Sequence, residues 1–142
     1  SSGATDIAEV FKTPFLAVNF APCIGAPLGK YDLYIPKKYV DINNNENVIP
    51  FKDILKIDSD ILYQGDLLEK IHGITYLDNT REEILVATVE MQERISGAFL
   101  ENANDKNLQS KYFNEFWSIN PKAGVQTAIG REWLKNNQSL YF

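Results

Sequence analysis

Residues 79–103, NTREEILVATVEMQERISGAFLENA, decide the fold of this 142-residue chain. Thr80 is followed three residues later by Glu83, which is the pattern of a capping box at the start of a helix. Charged residues of the stretch, Glu90 included, fall mostly on one side of such a helix, where water solvates them. Residues on the other side are mostly apolar and recur every three or four positions: Ile84, Ala87, Thr88, Met91, Ile95, Ala98 and Phe99.

The same stretch has an alternative interpretation as a buried strand. Residues 84–89, ILVATV, are rich in β-branched side chains, and Gly97 costs a helix interior about 1 kcal/mol relative to alanine. A sustained period of about 20 residues is nevertheless long for a strand, where about 4–8 is usual. We therefore predict a helix over residues 80–99 with Ile84, Met91 and Ile95 buried.

Length and composition are typical of one globular domain. A chain of 142 residues with 44% hydrophobic and 12% aromatic content can bury a sizeable core. The net charge of −5 argues against a nucleic-acid partner, because phosphate binding needs a basic face. A single cysteine, Cys23, excludes an internal disulfide, and no apolar run approaches the ~20 residues of a transmembrane segment. Nothing in the sequence indicates the compartment.

The sequence before the central helix predicts short strands and short helices. An apolar segment at 15–24 contains Pro22, which favours an extended conformation over a helix. Ser59 or Asp60 is expected to cap a helix that Gly73 ends. Alternating apolar residues predict further strands at 31–35, 38–42 and 74–77. Pro50 predicts the first turn of another helix, from 50 to 55.

The sequence after the central helix predicts a polar linker and two helical segments. The linker covers 102–107, and an aromatic group at helical spacing follows it. A last helix is expected to begin at Asn120-Pro121, with Val125, Ile129 and Trp133 on one side. The predicted fold class is therefore α+β: a single compact domain over residues 1–142, with short N-terminal strands and a helical C-terminal half around a central helix at about 80–100.

No motif with catalytic or metal-binding spacing is complete. Gly29-Lys30 resembles the end of a phosphate-binding loop, but Ile24 stands where its first glycine belongs. The loop 41–47 has the alternating oxygens of a calcium loop without its glycine bend or final glutamate. His72 is the lone histidine, and a position at a helix end explains it through the helix dipole. We predict no catalytic residue, no metal site and no cofactor.

Residues 121–134, PKAGVQTAIGREWL, resemble a segment of RES domains, which are toxins that degrade NAD. In that family a Gln, an Ile-Gly pair and a Trp-Leu pair recur at comparable spacing, as Gln126, Ile129-Gly130 and Trp133-Leu134 do here. The resemblance implies a small enzyme as an alternative function. The Gly-Gly-Arg-Trp-Asn signature of the family has no counterpart in this sequence, so no functional residue is carried over.

An aromatic group, Tyr112, Phe113, Phe116 and Trp117, is the basis of the main functional hypothesis. At helical spacing it spans about half of a helix circumference, which is wider than one buried stripe. It therefore either packs in the core under the last helix or contacts another chain, since aromatic side chains dominate binding at protein interfaces.

From this group we predict Phe113, Phe116 and Trp117 as partner-binding residues. The predicted function is a non-catalytic interaction or structural subunit of a larger protein assembly. One alternative is a small enzyme whose site is assembled from residues far apart in sequence. The other is a ligand-binding module that uses the loop 41–47.

Overall fold

The computed structural model describes residues 7–8, 10–24, 29–120 and 125–142, and these residues form an α+β domain. The strands are β1 (Leu16–Phe20), β2 (Leu33–Pro36), β3 (Lys38–Asp41), β4 (Asn47–Val48), β5 (Ile74–Leu77) and β6 (Ala128–Ile129). The helices are α1 (Phe51–Ile54), α2 (Ser59–Leu62), α3 (Gly65–His72), α4 (Arg81–Ser96), α5 (Ala103–Glu115) and α6 (Arg131–Asn136). The predicted fold class is confirmed.

The strands form two three-stranded sheets within the described ranges. The first has the order β1-β2-β6 and is parallel, with Leu33 of β2 paired to Leu16 on one side and to Ala128 on the other. The second has the order β4-β3-β5 and is antiparallel. Lys37 is the one residue between β2 and β3, so the chain passes directly from one sheet to the other. The strand predicted at 74–77 has the observed bounds.

Local interactions determine where the central helix, α4, begins and ends. The Glu83 amide donates to Thr80 Oγ1 at 3.1 Å, and the Glu83 carboxylate accepts from the Thr80 amide at 2.9 Å. This is the predicted capping box. Gly97 has a φ of +78°, a left-handed conformation that ends the helix three residues before the predicted end. The strand alternative for residues 84–89 was wrong.

The buried side of α4 differs from the predicted one. Met91 is buried and Ile84 is half-buried, as expected, but Ile95 is 65% exposed. Ile95 lies in the last turn of the helix, where α4 borders an open groove. Glu90, which we expected on the solvated side, is only 4% exposed. The prediction was wrong for Ile95 and for Glu90.

Two predictions for the second half of the chain were also wrong. The expected polar linker at 102–107 contains the first turn of α5, because the Asn102 side chain accepts from the Asp105 amide at 2.9 Å and caps that helix. The expected long last helix is instead the strand β6 followed by α6, since residues 128–129 extend the parallel sheet beside β2. Residues 121–124, where that helix was to begin, lie outside the described residues.

Aromatic rings fill the centre of the domain. Phe51 of α1 lies 4.8 Å from the ring of Tyr141 and 6.2 Å from that of Trp133, measured between ring centroids. Tyr39 of β3 contacts the same Phe51 ring edge-on at 6.0 Å. The core therefore joins the antiparallel sheet to the C-terminal turn of the chain.

Candidate functional site

Phe116, one of the three predicted partner-binding residues, lies in the core. Its ring packs against Tyr141 at 4.8 Å and against Phe51 at 6.1 Å between centroids. The side chain is fully buried, so it offers no surface to a partner in this conformation. Tyr141 covers this part of the aromatic group. Val125, which we had placed on the last helix above the group, is largely exposed.

Phe113 and Trp117 lie at the edge of the same aromatic core. Their rings meet edge-on with centroids 6.1 Å apart, and both side chains are half-buried. Among the described residues, the buried indole Nε1 of Trp117 has no hydrogen-bond partner. The partner-binding hypothesis for these two residues stays a prediction.

The outer side of α4 carries apolar side chains that the domain leaves uncovered. Leu85 is 61% exposed, Val86 42% and Val89 46%. Spacings of three and four residues place Leu85 and Val86 each beside Val89 on the helix surface. We call these three residues the α4 apolar face. The neighbouring exposed positions are polar, namely Glu82, Thr88 and Gln92.

The inner side of α4 carries a charged group in place of an apolar one. Glu90 Oε1 accepts from Arg94 Nε at 2.9 Å and from Arg94 Nη2 at 2.7 Å. Its other oxygen accepts from the amide of Arg131 at 2.7 Å. Arg131 is the first residue of α6, so the Glu90 carboxylate lies at the N-terminus of that helix, where the helix dipole favours a negative charge. This packing gives Glu90 a structural role.

Burial suppresses the reactivity of the Cys23 thiol. Its amide donates to the Tyr39 hydroxyl at 2.8 Å, and its carbonyl accepts from the Asn120 amide group at 3.1 Å. Burial raises the pKa of the Cys23 thiol to about 12. A thiol is nucleophilic only as the thiolate, so Cys23 is a poor nucleophile near neutral pH.

The buried tyrosines are also held in their neutral form. The hydroxyl groups of Tyr34 and Tyr112 hydrogen-bond each other in the core. Burial raises the pKa of both residues and that of Tyr141. These hydroxyls therefore satisfy one another rather than face a cleft.

The other residues singled out from the sequence lie in ordinary structural positions. His72 is exposed at the end of α3, with Gly73 as the left-handed cap at a φ of +64°. In the loop 41–47, the Asp41 carboxylate accepts from the Asn43 amide at 2.9 Å inside the turn that joins β3 to β4. Across the described ranges, no three His, Cys, Asp or Glu side chains are grouped as metal ligands. No helix in that part of the chain is both long and apolar enough to cross a bilayer.

Comparison with known proteins gives no match: no family model, no curated protein and no solved structure matches this chain. The resemblance of residues 121–134 to RES domains therefore stays a hypothesis from the sequence. Sequence periodicity missed the α4 apolar face because residues 84–89 are apolar around most of the helix circumference, and only tertiary packing selects the buried side.

Proposed function

We propose that this domain is a non-catalytic interaction subunit that binds another protein chain through the α4 apolar face. The observation that carries the proposal is the arrangement of α4, in which Leu85, Val86 and Val89 face water while Glu90 is buried. An exposed cluster of large apolar side chains with a polar rim is a feature of protein interaction sites.

Covering the α4 apolar face supplies part of the free energy of binding. Fully burying a Val or Leu side chain contributes about 1.5–3 kcal/mol, so covering the exposed half of each gives about 1 kcal/mol per residue. Association itself costs several kcal/mol in lost translational and rotational freedom. The α4 apolar face is thus the apolar centre of a wider contact, in keeping with the apolar core and polar rim of protein interfaces.

The charges near the α4 apolar face favour a partner surface with positive charge. Val86 also lines a cleft of about 140 Å³ whose wall includes Glu82, Glu83 and Glu132. Lys38 neutralises Glu83 at 3.1 Å. Glu132 lies 3.4 Å from Arg131 Nε and 3.8 Å from Lys135 Nζ. Glu82, together with the net charge of −5, therefore favours a partner with an apolar centre and a basic rim.

The test compares two substitutions of exposed helical residues. Leu85→Glu places a charge on the face, and Ile71→Glu makes the same change on α3, where Ile71 is 57% exposed. Tagged wild-type and variant proteins are expressed in the native source, and the native mass and co-purifying chains are measured. We expect Leu85→Glu to weaken partner binding at least tenfold, while Ile71→Glu retains it. Melting temperatures of both variants should stay close to that of the wild type.

A second measurement asks whether the partner is another copy of this chain. Sedimentation of the purified protein at about 100 µM detects self-association. A wild-type dimer that Leu85→Glu converts to a monomer would identify a homotypic interface. Equal partner binding by wild type and Leu85→Glu, with no self-association in either, would contradict the proposal.

Trp117 is tested in the same assay. Trp117→Ala with partner binding lost and an unchanged melting temperature would extend the interface to the aromatic edge. A large loss of thermal stability would instead assign Trp117 to the core, where it lies 6.4 Å from the ring of Tyr34.

A further inference from the structure

A groove of about 450 Å³ opens beside the last turn of α4. Pro14 and Asp32 precede β1 and β2, and Ala128 begins β6, so the groove lies at the amino ends of the parallel strands. Its volume falls within the roughly 300–1,000 Å³ of small-molecule sites. The α4 apolar face begins two turns earlier on the same helix and does not line this groove.

Two cationic side chains, Lys30 and Arg94, and one carboxylate, Asp32, line the groove. Asp32 is buried, and its carboxylate accepts from the amides of Phe15, at 3.1 Å, and Gly29. Glu90 holds two of the donors of Arg94 from inside the domain. Arginine has five N–H donors, so Arg94 keeps donors for the groove, and Lys30 adds a second cation. Asp32 and Glu90 are buried and already accept hydrogen bonds, so the ammonium of Lys30 and the remaining donors of Arg94 are the groups that can bind an anion here.

Aromatic rings lie beside both cations. The Arg94 guanidinium carbon is 4.0 Å from the centroid of Phe99, and that of Arg131 is 5.0 Å from the same ring. Lys30 Nζ lies 5.7 Å from the ring of Tyr31, which is 72% exposed. Phe99 is thereby fixed in place, while Tyr31 presents a flat surface next to an ammonium group.

We propose that this groove binds a small molecule that carries both a planar ring and an anionic group. The ring stacks on Tyr31, and the anion pairs with the Lys30 ammonium and the remaining Arg94 donors. Charge-assisted hydrogen bonds to carboxylate or phosphate supply the orientation, and ring stacking supplies the apolar contact. The site does not depend on the α4 apolar face.

The ligand test uses a series in which ring and charge vary separately. Benzoate and phenyl phosphate carry both features, benzyl alcohol and benzylamine carry the ring alone or with the opposite charge, and acetate and inorganic phosphate carry the anion alone. We expect calorimetry to give the tightest binding for benzoate or phenyl phosphate, at least fivefold tighter than for the other probes. Amide chemical shifts should change at residues 30–32 and 94–99. Equal affinity for benzyl alcohol, or shifts confined to other residues, would overturn the proposal.

Variants then assign the contacts. Lys30→Gln and Tyr31→Ala replace exposed side chains, so each should weaken binding of the best probe about fivefold or more with an unchanged melting temperature. Lys111→Gln is the matched control, because its ammonium lies 4.2 Å from the ring of Phe142, outside the groove. Unchanged affinity in Lys30→Gln, or an equal loss in Lys111→Gln, would refute the assignment.

Discussion

Replacing Glu90 by alanine is expected to destabilise the domain by about 3 kcal/mol or more. The carboxylate is 4% exposed and accepts three hydrogen bonds, two from Arg94 and one from the Arg131 amide. Removing one partner of a buried ion pair costs about 3–5 kcal/mol, because the other charge stays buried without compensation. The Arg94 side chain is 25% exposed, so water relieves part of that cost and the lower end applies.

The assay is urea unfolding followed by tryptophan fluorescence. Domains of this size have about 5–15 kcal/mol of stability, so a loss of 3 kcal/mol leaves the variant folded but lowers its melting temperature by about 10 °C. Glu90→Gln keeps an acceptor for the Arg131 amide and should lose less. Glu93→Ala, on the same helix, is the control and should change stability by less than about 1 kcal/mol.

A double-mutant cycle separates the ion pair from general packing. Combining Glu90→Ala with Arg94→Ala should give a coupling energy of about 1–3 kcal/mol, because the double variant no longer holds an unpaired charge. If Glu90→Ala unfolds within 1 kcal/mol of the wild type, or the coupling energy is near zero, the structural role assigned to Glu90 is wrong.

Three other predictions concern the core, a cap and pH. Tyr112→Phe should cost about 1 kcal/mol in urea unfolding, because the buried Tyr34 hydroxyl loses one hydrogen-bond partner and keeps Tyr141. Thr80→Ala should cost about 1 kcal/mol, because the Glu83 amide loses its acceptor. The pKa of Cys23 rises from the ordinary value of 9.0 to about 12 in the fold, so the unfolded chain loses its proton first. Stability should therefore fall as pH rises from about 9 towards 12, and melts at pH 8 and 10 should show a smaller fall for Cys23→Ala.

The parts of the fold that the sequence predicted well depend on local chemistry. The capping box at Thr80 needs only residues three positions apart, and the left-handed cap at Gly73 needs only glycine at a helix end. Gly97 gives the same signal, but we had placed it inside the helix. The strand at 74–77 lies between the Gly73 cap and the Thr80 capping box. The start of α5 had a comparable signal in Asn102, which we interpreted as part of a polar linker.

The parts that the sequence missed depend on contacts between distant residues. The two-residue strand β6 exists because Ala128 and Ile129 pair with Leu33 and Tyr34, more than 90 positions earlier in the chain. A strand of two residues is too short to show an alternating pattern in the sequence. The burial of Glu90 depends on the amide of Arg131, which is 41 residues away. An acidic residue in a helical pattern is ordinarily assigned to water, so only the folded structure reveals this role.

One rotation of the helix explains both errors in α4. The period in the sequence placed Ile84, Met91 and Ile95 inward, whereas the observed buried side is centred on Ala87, Glu90 and Met91. Turning the helix in this direction buries Glu90 and exposes Ile95. Leu85, Val86 and Val89 lie on the outer side in both orientations and are exposed to water. Residues 84–89 are apolar around most of the helix circumference, and such a segment is expected to be buried on most sides. The domain covers one side of α4, and a bound partner chain would cover the other.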